Sequence, residues 1–203
     1  LIICLWFFQG SFSSFRLSVF YGSNSANPVF VIASPGNRNV TVINASCPIT
    51  CRQVANWLLV SGIERINQLV LPSATKKFSS GADKLFSVIK IDKLYISESW
   101  KKSYYGRKAV SLAENNRTDT AFIGFEESSG FAFMRDSQLI YEGLNQDNYN
   151  ILLQIPSSSW NIEVSKAKNG KTSYAFKAEG YKETNGQIIN RNTADLKILS
   201  LSD

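Results

Sequence analysis

Hydrophobic and polar residues alternate along the first part of the chain in a way that predicts β-strands. Phe15–Phe20 alternates, Val29–Ala33 is a short apolar run, and Asn39–Ile43 alternates again. The turn residues Pro35-Gly36-Asn37 stand between the last two segments. Two short strands separated by such a turn are typical of a hairpin, so we predict a hairpin preceded by one further strand.

The hydrophobic period then changes to that of a helix. Val54, Trp57 and Leu58, followed by Val60, recur at helical spacing, and Gly62 stands where a helix usually ends. This pattern predicts a helix over Arg52–Ser61. The next predicted elements are a short buried strand, a polar loop, a second helix and another strand, at Gln68–Leu71, Pro72–Ser80, Ala82–Ile89 and Lys93–Ile96. Strands that alternate with helices predict an α/β layer with partly parallel pairing.

After Ser97 the pattern is dominated by short apolar segments separated by turn residues. The predicted strands are Ala109–Leu112, Thr120–Phe125, Gly130–Met134, Gln138–Tyr141, Asn150–Ile155, Trp160–Val164, Ser173–Lys177 and Leu196–Leu199. No internal repeat, low-complexity segment or linker interrupts the sequence. We therefore predict a single α/β domain over residues 11–203 with a strand-rich second half.

The first eight residues, Leu1–Phe8, are uninterrupted apolar. As a helix they would span only about 12 Å, whereas a bilayer crossing needs ~20 residues. Trp6, Phe7 and Phe8 suit the aromatic belt where a membrane helix leaves the bilayer, although a buried first strand is the alternative. Because the only methionine is Met134, we expect a piece of a longer polypeptide. Residues 1–10 are accordingly predicted to be the end of a transmembrane helix.

Composition limits the chemistry that the chain can perform. The sequence contains no histidine, which excludes Ser-His-Asp and Cys-His catalysis. Cys47 and Cys51 have one residue too many between them for a zinc-knuckle or redox motif, and they could form a local disulfide or remain free thiols. Ser73 and Lys76 match the letters of a Ser-x-x-Lys dyad, but in a predicted loop, where a chance match is expected.

Charge gives the clearest positive signal. The net charge is +6 with a pI near 9.2, which suits an anionic partner such as nucleic acid or a phospholipid surface. Cationic and aromatic residues are combined in one short stretch. In nucleic-acid-binding proteins, cations bind the phosphate backbone and aromatic side chains stack on bases. The predicted nucleic-acid-binding residues are Lys76, Lys77, Trp100, Lys101, Lys102, Tyr104, Tyr105, Arg107 and Lys108. The alternative is a solvated basic loop whose aromatic side chains lie back on the core.

Several segments carry a resemblance to a known family. A helix ends at a Gly-Ile corner, a strand ends in Leu before a polar loop, and a helix and a Lys-x-Leu-Tyr strand follow. These segments are, in order, Trp57–Ile63, Leu69–Leu71, Ser80–Ala82 and Lys93–Ile96, with further likeness over Phe15–Ile43, Asn150–Val164 and Ala194–Leu199. In the order and spacing of these segments, over about two thirds of the chain, the sequence resembles the metallo-β-lactamase-like domain of ComEC-type DNA-uptake channels.

The chain departs from the family's pattern at the metal-binding positions. At the positions of the family's His-x-His-x-Asp-His motif, this chain has Ser73, Thr75, Lys77 and Phe78. At the position of the family's Asp-Gly-Gly turn it has Asn44-Ala45-Ser46. A di-metal hydrolase needs imidazoles and carboxylates to hold its ions and to generate hydroxide. Hydroxyl and phenyl groups do not replace them, and a lysine would repel the cation.

The resemblance implies an α/β protein with a metallo-β-lactamase-like αββα sandwich, incomplete or degenerate, without cofactor or enzymatic activity. It further implies a scaffold or DNA-contacting domain, attached to a bacterial membrane through its N-terminal segment and lying on the extracytoplasmic side. Single-stranded DNA and the rest of a longer polypeptide are the expected partners, and the oligomeric state is left open. The alternative is an extracytoplasmic β-rich interaction domain with no nucleic-acid role.

Overall fold

A computed structural model gives the backbone of residues 16–20, 28–123, 129–134, 137–143, 149–155, 158–166, 172–179, 188–191 and 194–200. These residues form a mixed α/β fold with one eight-stranded and one five-stranded sheet. The predicted membrane-helix end at residues 1–10 lies outside the described residues. Within them, no helix is long and apolar enough to cross a bilayer.

The first six strands contain the predicted hairpin and the α/β layer. They are β1 (Arg16–Phe20), β2 (Val29–Ala33), β3 (Val40–Ile43), β4 (Arg65–Leu71), β5 (Lys90–Ser97) and β6 (Asp119–Ile123). β1, β2 and β3 pair antiparallel, and β3 through β6 pair parallel. The predicted turn between β2 and β3 is confirmed as a 3-10 turn at Pro35–Asn37, in which Gly36 has a φ of 70°.

Four helices connect the parallel strands. They are α1 (Pro48–Val60), α2 (Lys76–Ser79), α3 (Ala82–Phe86) and α4 (Tyr104–Asn115). α1 ends as the sequence predicts, because Gly62 adopts a φ of 73° and Ile63 N–H donates to the carbonyl of Leu58 at 2.8 Å. The predicted polar loop contains the short helix α2, and the second predicted helix ends at Phe86 rather than at Ile89.

The predicted strand at Ala109–Leu112 is wrong, since these residues lie inside α4. The buried residues of α4 are Gly106, Ala109 and Ala113, which recur at helical spacing but are small. Tyr105 and Leu112 pack against the core beside Ala109 and Ala113, so the helical period is present in the sequence, and the short apolar run at Ala109–Leu112 was misinterpreted as a strand. Its start is fixed by Ser103, whose Oγ accepts from Gly106 N–H at 2.9 Å.

The remaining strands complete both sheets. They are β7 (Ser129–Met134), β8 (Ser137–Gly143), β9 (Tyr149–Ile155), β10 (Ser158–Lys166), β11 (Thr172–Glu179), β12 (Ile188–Arg191) and β13 (Ala194–Ser200). β7 through β11 form the antiparallel five-stranded sheet. β13 returns to pair with β1, so the larger sheet has the order β12-β13-β1-β2-β3-β4-β5-β6. The short strand β12 was not predicted.

The larger sheet is buried on both faces in its central strands. Val31, Val42 and Leu94 belong to the core cluster that includes Leu58 of α1 and Leu85 of α3. The side chains that alternate with these residues, on the other face of β2, β3 and β4, are also buried from solvent. They are Phe30, Ile32, Ile43 and Val70. Strands buried on both sides are typical of the inner layer of an α/β protein.

Strand direction defines two opposite edges of this sheet. The parallel strands β3 to β6 all end at one edge, here called the carboxyl edge, and begin at the other, the amino edge. α1, α3 and α4 each follow a parallel strand, so they begin near the carboxyl edge and end near the amino edge. β1 runs in the same direction as β3, because β2 is antiparallel to both.

Candidate functional site

The carboxyl edge is closed by loops that hydrogen-bond to one another. Ala45 N–H, in the loop after β3, donates to the carbonyl of Phe78 at 2.7 Å. Gly81 N–H donates to the carbonyl of Ala45, also at 2.7 Å, and Ser80 Oγ donates to the carbonyl of Ser46 at 2.6 Å. The loop after β3 is therefore locked to the segment that joins β4 to α3.

The contact between the segment before α3 and the start of α1 leaves room only for a glycine at position 81. A Cβ atom at this position would lie 2.4 Å from the carbonyl oxygen of Cys47 and 2.7 Å from Cys51 Sγ. The backbone of Gly81 thus approaches the start of α1 more closely than any side chain allows.

The four positions to which the sequence resemblance assigns a metal loop lie in this locked segment. Phe78 is completely buried and Ser73 is 7% exposed. The hydroxyls of Ser73 and Thr75 are buried with no hydrogen-bond partner in the described part of the chain. Lys77 lies in α2, and its side chain is outside the described residues. A phenyl ring offers no lone pair to a metal ion, and neutral hydroxyls are poor ligands beside imidazole or carboxylate.

Acidic, thiol and imidazole side chains do not converge elsewhere in the described ranges either. No group of three or more His, Cys, Asp or Glu residues in these ranges has an arrangement that could hold a metal ion. The Ser73–Lys76 pair also lacks the geometry of a catalytic dyad. Ser73 precedes α2, its buried Oγ has no base as a partner among the described groups, and Lys76 is exposed.

The predicted basic segment is a 3-10 turn followed by the first turns of α4, not a loop. Trp100 ends the turn and Tyr104 begins the helix. Ser103 caps α4 and also donates from Oγ to the carbonyl of Ala74 at 3.4 Å, which ties the segment to the loop after β4. Gly106 permits the close approach of α4 to the turn, because a Cβ there would overlap the carbonyl of Trp100.

This arrangement brings most of the predicted binding residues to one surface. The basic surface, as we call it, consists of the exposed cations Lys76, Lys101, Lys102, Arg107 and Lys108 together with Tyr104. Among the described residues, none of these cations forms an ion pair with a carboxylate. Their charge is therefore available to an external anion.

The three aromatic residues of the segment differ in accessibility. Tyr104 is 66% exposed, whereas Trp100 and Tyr105 pack against the hydrophobic core. The rings of Tyr104 and Tyr105 meet edge to face at a centroid distance of 5.1 Å. The Lys101 ammonium lies 4.4 Å from the centroid of Phe122. One ring of the three, that of Tyr104, is thus presented for stacking.

Cys47 and Cys51 are free thiols at the start of α1, which decides between the two states that the sequence leaves open. Cys47 is the N-cap residue, and its Sγ accepts from Thr50 N–H at 3.4 Å. Cys51 is buried, and this burial raises the pKa of its thiol well above that of an exposed cysteine. Such a thiol is protonated and unreactive at neutral pH.

The sequence pattern missed a set of exposed aliphatic side chains at the amino edge. Val60, which the sequence pattern assigns to the hydrophobic stripe of α1, is 90% exposed, because it lies two residues after the buried Leu58 and faces nearly the opposite side of the helix. Leu59 and Val88 are also exposed. The signal that could have found them is the apolar pair Leu59-Val60 directly before the helix-ending Gly62.

No protein-family model matches the sequence, and no curated protein is significantly similar to it.

Proposed function

We propose that the chain is a metallo-β-lactamase-like domain whose metal-binding positions have been replaced, and that it belongs to a ComEC-type DNA-uptake membrane protein. In this proposal it is a pseudoenzyme without cofactor that acts as a scaffold and contacts single-stranded DNA. It is attached to a bacterial membrane through its N-terminal segment, forms part of a longer polypeptide and lies on the extracytoplasmic side.

The order of elements supports the fold proposed here. An antiparallel hairpin leads through α1 into β4, the polar loop, α3 and β5, which is the order of the first half of the family's fold. The larger sheet is buried on both faces in its central strands, as an inner layer must be, and the chain forms a second, five-stranded sheet, which an αββα sandwich also requires.

The chemistry of the former metal loop supports a non-catalytic role. Phe78 fills its position with a fully buried ring, and the hydroxyls of Ser73 and Thr75 are directed into protein rather than solvent. Metal-dependent hydrolysis requires ligands and an open coordination position for water. Neither requirement is met by these three side chains.

The observation that carries the DNA-contacting role is the basic surface beside that loop. Its cations come from two different segments, one after β4 and one after β5, and the Ser103–Ala74 hydrogen bond holds these segments together at the carboxyl edge. Five exposed cations without carboxylate partners among the described residues, next to one exposed ring, match the needs of a single strand. The phosphates require positive charge and the unpaired bases require a stacking platform.

Binding of a fluorescent thymidine oligonucleotide, measured by anisotropy at several salt concentrations, tests the proposal. We expect the variant K101A/K102A/R107A/K108A to lose at least about tenfold in affinity at low salt. The slope of log K against log salt should fall by about 3, since each phosphate contact to a single strand contributes roughly 0.7. Tyr104→Ala should weaken binding by about tenfold, while Tyr104→Phe, which keeps the ring, should not.

A charge-matched control separates a specific surface from general attraction to a basic protein. The variant R38A/R65A/K90A/R117A removes four exposed cations from the amino edge, of which Arg65 also pairs with Asp92 at 3.4 Å. Equal loss in both quadruple variants, or no binding by the unaltered chain, would refute a DNA-contacting role for the basic surface.

One observation favours the second candidate, an extracytoplasmic β-rich interaction domain with no nucleic-acid role. Trp100 and Tyr105 lie back against the core, as a solvated basic segment would place them. If circular dichroism shows that the chain is folded and it binds no oligonucleotide, this second candidate is favoured.

A further inference from the structure

Phe122 is an aromatic residue at the carboxyl edge that the sequence pattern did not assign to the basic surface. It lies in β6, the last strand in the order of the larger sheet, one residue before that strand ends. It pairs with Ile96 of β5, a core residue, and paired residues of neighbouring strands point to the same face of a sheet. The ring of Phe122 accordingly packs against the core beneath the helices, and it is half-buried.

One of the cations of the basic surface lies over this ring. The Lys101 ammonium is 4.4 Å from the centroid of Phe122, which is a cation–π distance. Exposed Glu98 lies in the same turn, and its carbonyl accepts from Lys101 N–H at 3.1 Å. The Lys101 ammonium, however, forms no ion pair with a carboxylate in the described part of the chain. The face of the Phe122 ring is thus occupied by an ammonium group that has no carboxylate partner there.

A single strand of nucleic acid offers a stronger partner to both groups. Its phosphate attracts the ammonium of Lys101, and an unpaired base can stack on the ring that the ammonium leaves. A cation–π contact at an exposed site is weaker than the stacking of one base on an aromatic side chain. The exchange is therefore favourable, because two contacts with the nucleic acid replace one contact within the protein.

We infer that Phe122 is a second base-stacking site in addition to Tyr104, and that Lys101 covers it until the phosphate of a bound strand draws the ammonium away. The ligand of this site is an unpaired nucleobase, since a base within a duplex presents its edges rather than its face. This inference rests on the DNA-contacting role in the proposed function. It adds a residue from β6 to the basic surface and a reason for that surface to prefer single strands.

Photocrosslinking of a thymidine oligonucleotide that carries 5-iodouracil tests the inference on the unaltered 203-residue chain. We expect peptide mass spectrometry to find adducts on both Tyr104 and Phe122, because both rings contact a base. Adducts that omit Phe122 would overturn the second stacking site and would leave the DNA-contacting role intact.

Phe122→Leu removes the ring but keeps an apolar side chain against the core. We expect the affinity for the oligonucleotide to fall by about tenfold, as for the loss of one stacked base. The slope of log K against log salt should stay unchanged, because no phosphate contact is lost.

Trp57→Leu is the matched control for this variant. Trp57 also packs half-buried against the core, but on α1, and α3 packs against both α1 and α4. Its replacement should lower the free energy of unfolding without changing the affinity. Equal loss of affinity in both variants would mean that Phe122 acts through core packing alone, and would overturn the inference.

Lys101→Ala distinguishes a covered ring from a freely accessible one. Loss of one phosphate contact should weaken binding at low salt and reduce the salt slope by roughly 0.7. At high salt, where that contact contributes little, the variant should bind about two- to fivefold more tightly than the unaltered chain, because no cation–π contact has to be broken. Affinity that never exceeds that of the unaltered chain would show that Lys101 does not cover the site.

The experiments also separate this inference from the proposed function. The crosslinking and the Lys101→Ala titration need no change in the core, so they decide the question even if Phe122→Leu does not fold. Absence of oligonucleotide binding by the unaltered chain refutes the DNA-contacting role and the inference with it. Binding by the unaltered chain without the expected results at Phe122 and Lys101 refutes the inference alone.

Discussion

At the scale of single residues, the Cys51 thiol links the protonation of the chain to its stability. Burial, followed by the proximity of Cys47, raises the pKa of this thiol far above the ordinary value of 9.0. The unfolded chain releases the proton near that ordinary value, whereas the folded chain retains it. The stabilising effect is therefore complete below about pH 9 and is lost progressively as the pH rises beyond it.

We accordingly expect the free energy of unfolding to fall more steeply with pH in the unaltered chain than in Cys51→Ala. The difference between the two should grow by up to about 1.4 kcal/mol per pH unit above pH 9. Urea unfolding between pH 7 and about pH 10.5 measures it. Lysine and tyrosine ionisation is common to both proteins and cancels in the comparison. Parallel pH profiles would contradict a buried, protonated thiol.

At the scale of elements, two glycines hold the helices in place for different reasons. Gly62 ends α1 at a φ of 73°, with open space around its missing Cβ. Gly81 has an ordinary backbone conformation, but its missing Cβ would overlap the start of α1. Gly62 is thus required by backbone conformation, and Gly81 by the contact between two loops.

This difference predicts opposite rankings of Ala and Asn at the two positions. At position 62, Asn should be better tolerated than Ala, since Asn tolerates the left-handed conformation, and Ala should cost about 1 kcal/mol. At position 81, Ala should cost roughly 1–3 kcal/mol and Asn more, because the larger side chain increases the overlap. Urea unfolding of the four variants gives the ranking. The same order at both positions would contradict one of the two explanations.

The sequence predicts those elements whose signals are local. The hairpin at Pro35–Asn37 and the helix end at Gly62 were predictable because turn and cap residues act on their own neighbours. α4 has a helical period formed by Tyr105, Ala109, Leu112 and Ala113, and it was missed because the apolar run at Ala109–Leu112 also fits a short strand. The pairing of β13 with β1 joins segments about 180 residues apart, for which no local pattern exists.

The candidate site was predictable to a similar extent. The cations of the basic surface are visible in the sequence as a cluster of letters. The inward packing of Trp100, Tyr105 and Phe78 is not, because the face of a segment that meets the core depends on how neighbouring loops lock together. The exposure of Val60, by contrast, follows from helical periodicity, since Val60 lies two residues after the buried Leu58.

At the scale of the whole molecule, the basic surface and the exposed aliphatic side chains of Leu59, Val60 and Val88 occupy opposite edges of one sheet. β5 connects the two edges with eight residues, which span roughly 25 Å at about 3.3 Å per residue. This separation exceeds the Debye length of ~8 Å at physiological salt. Charges bound at one edge are therefore screened from the other, and the two edges can act independently.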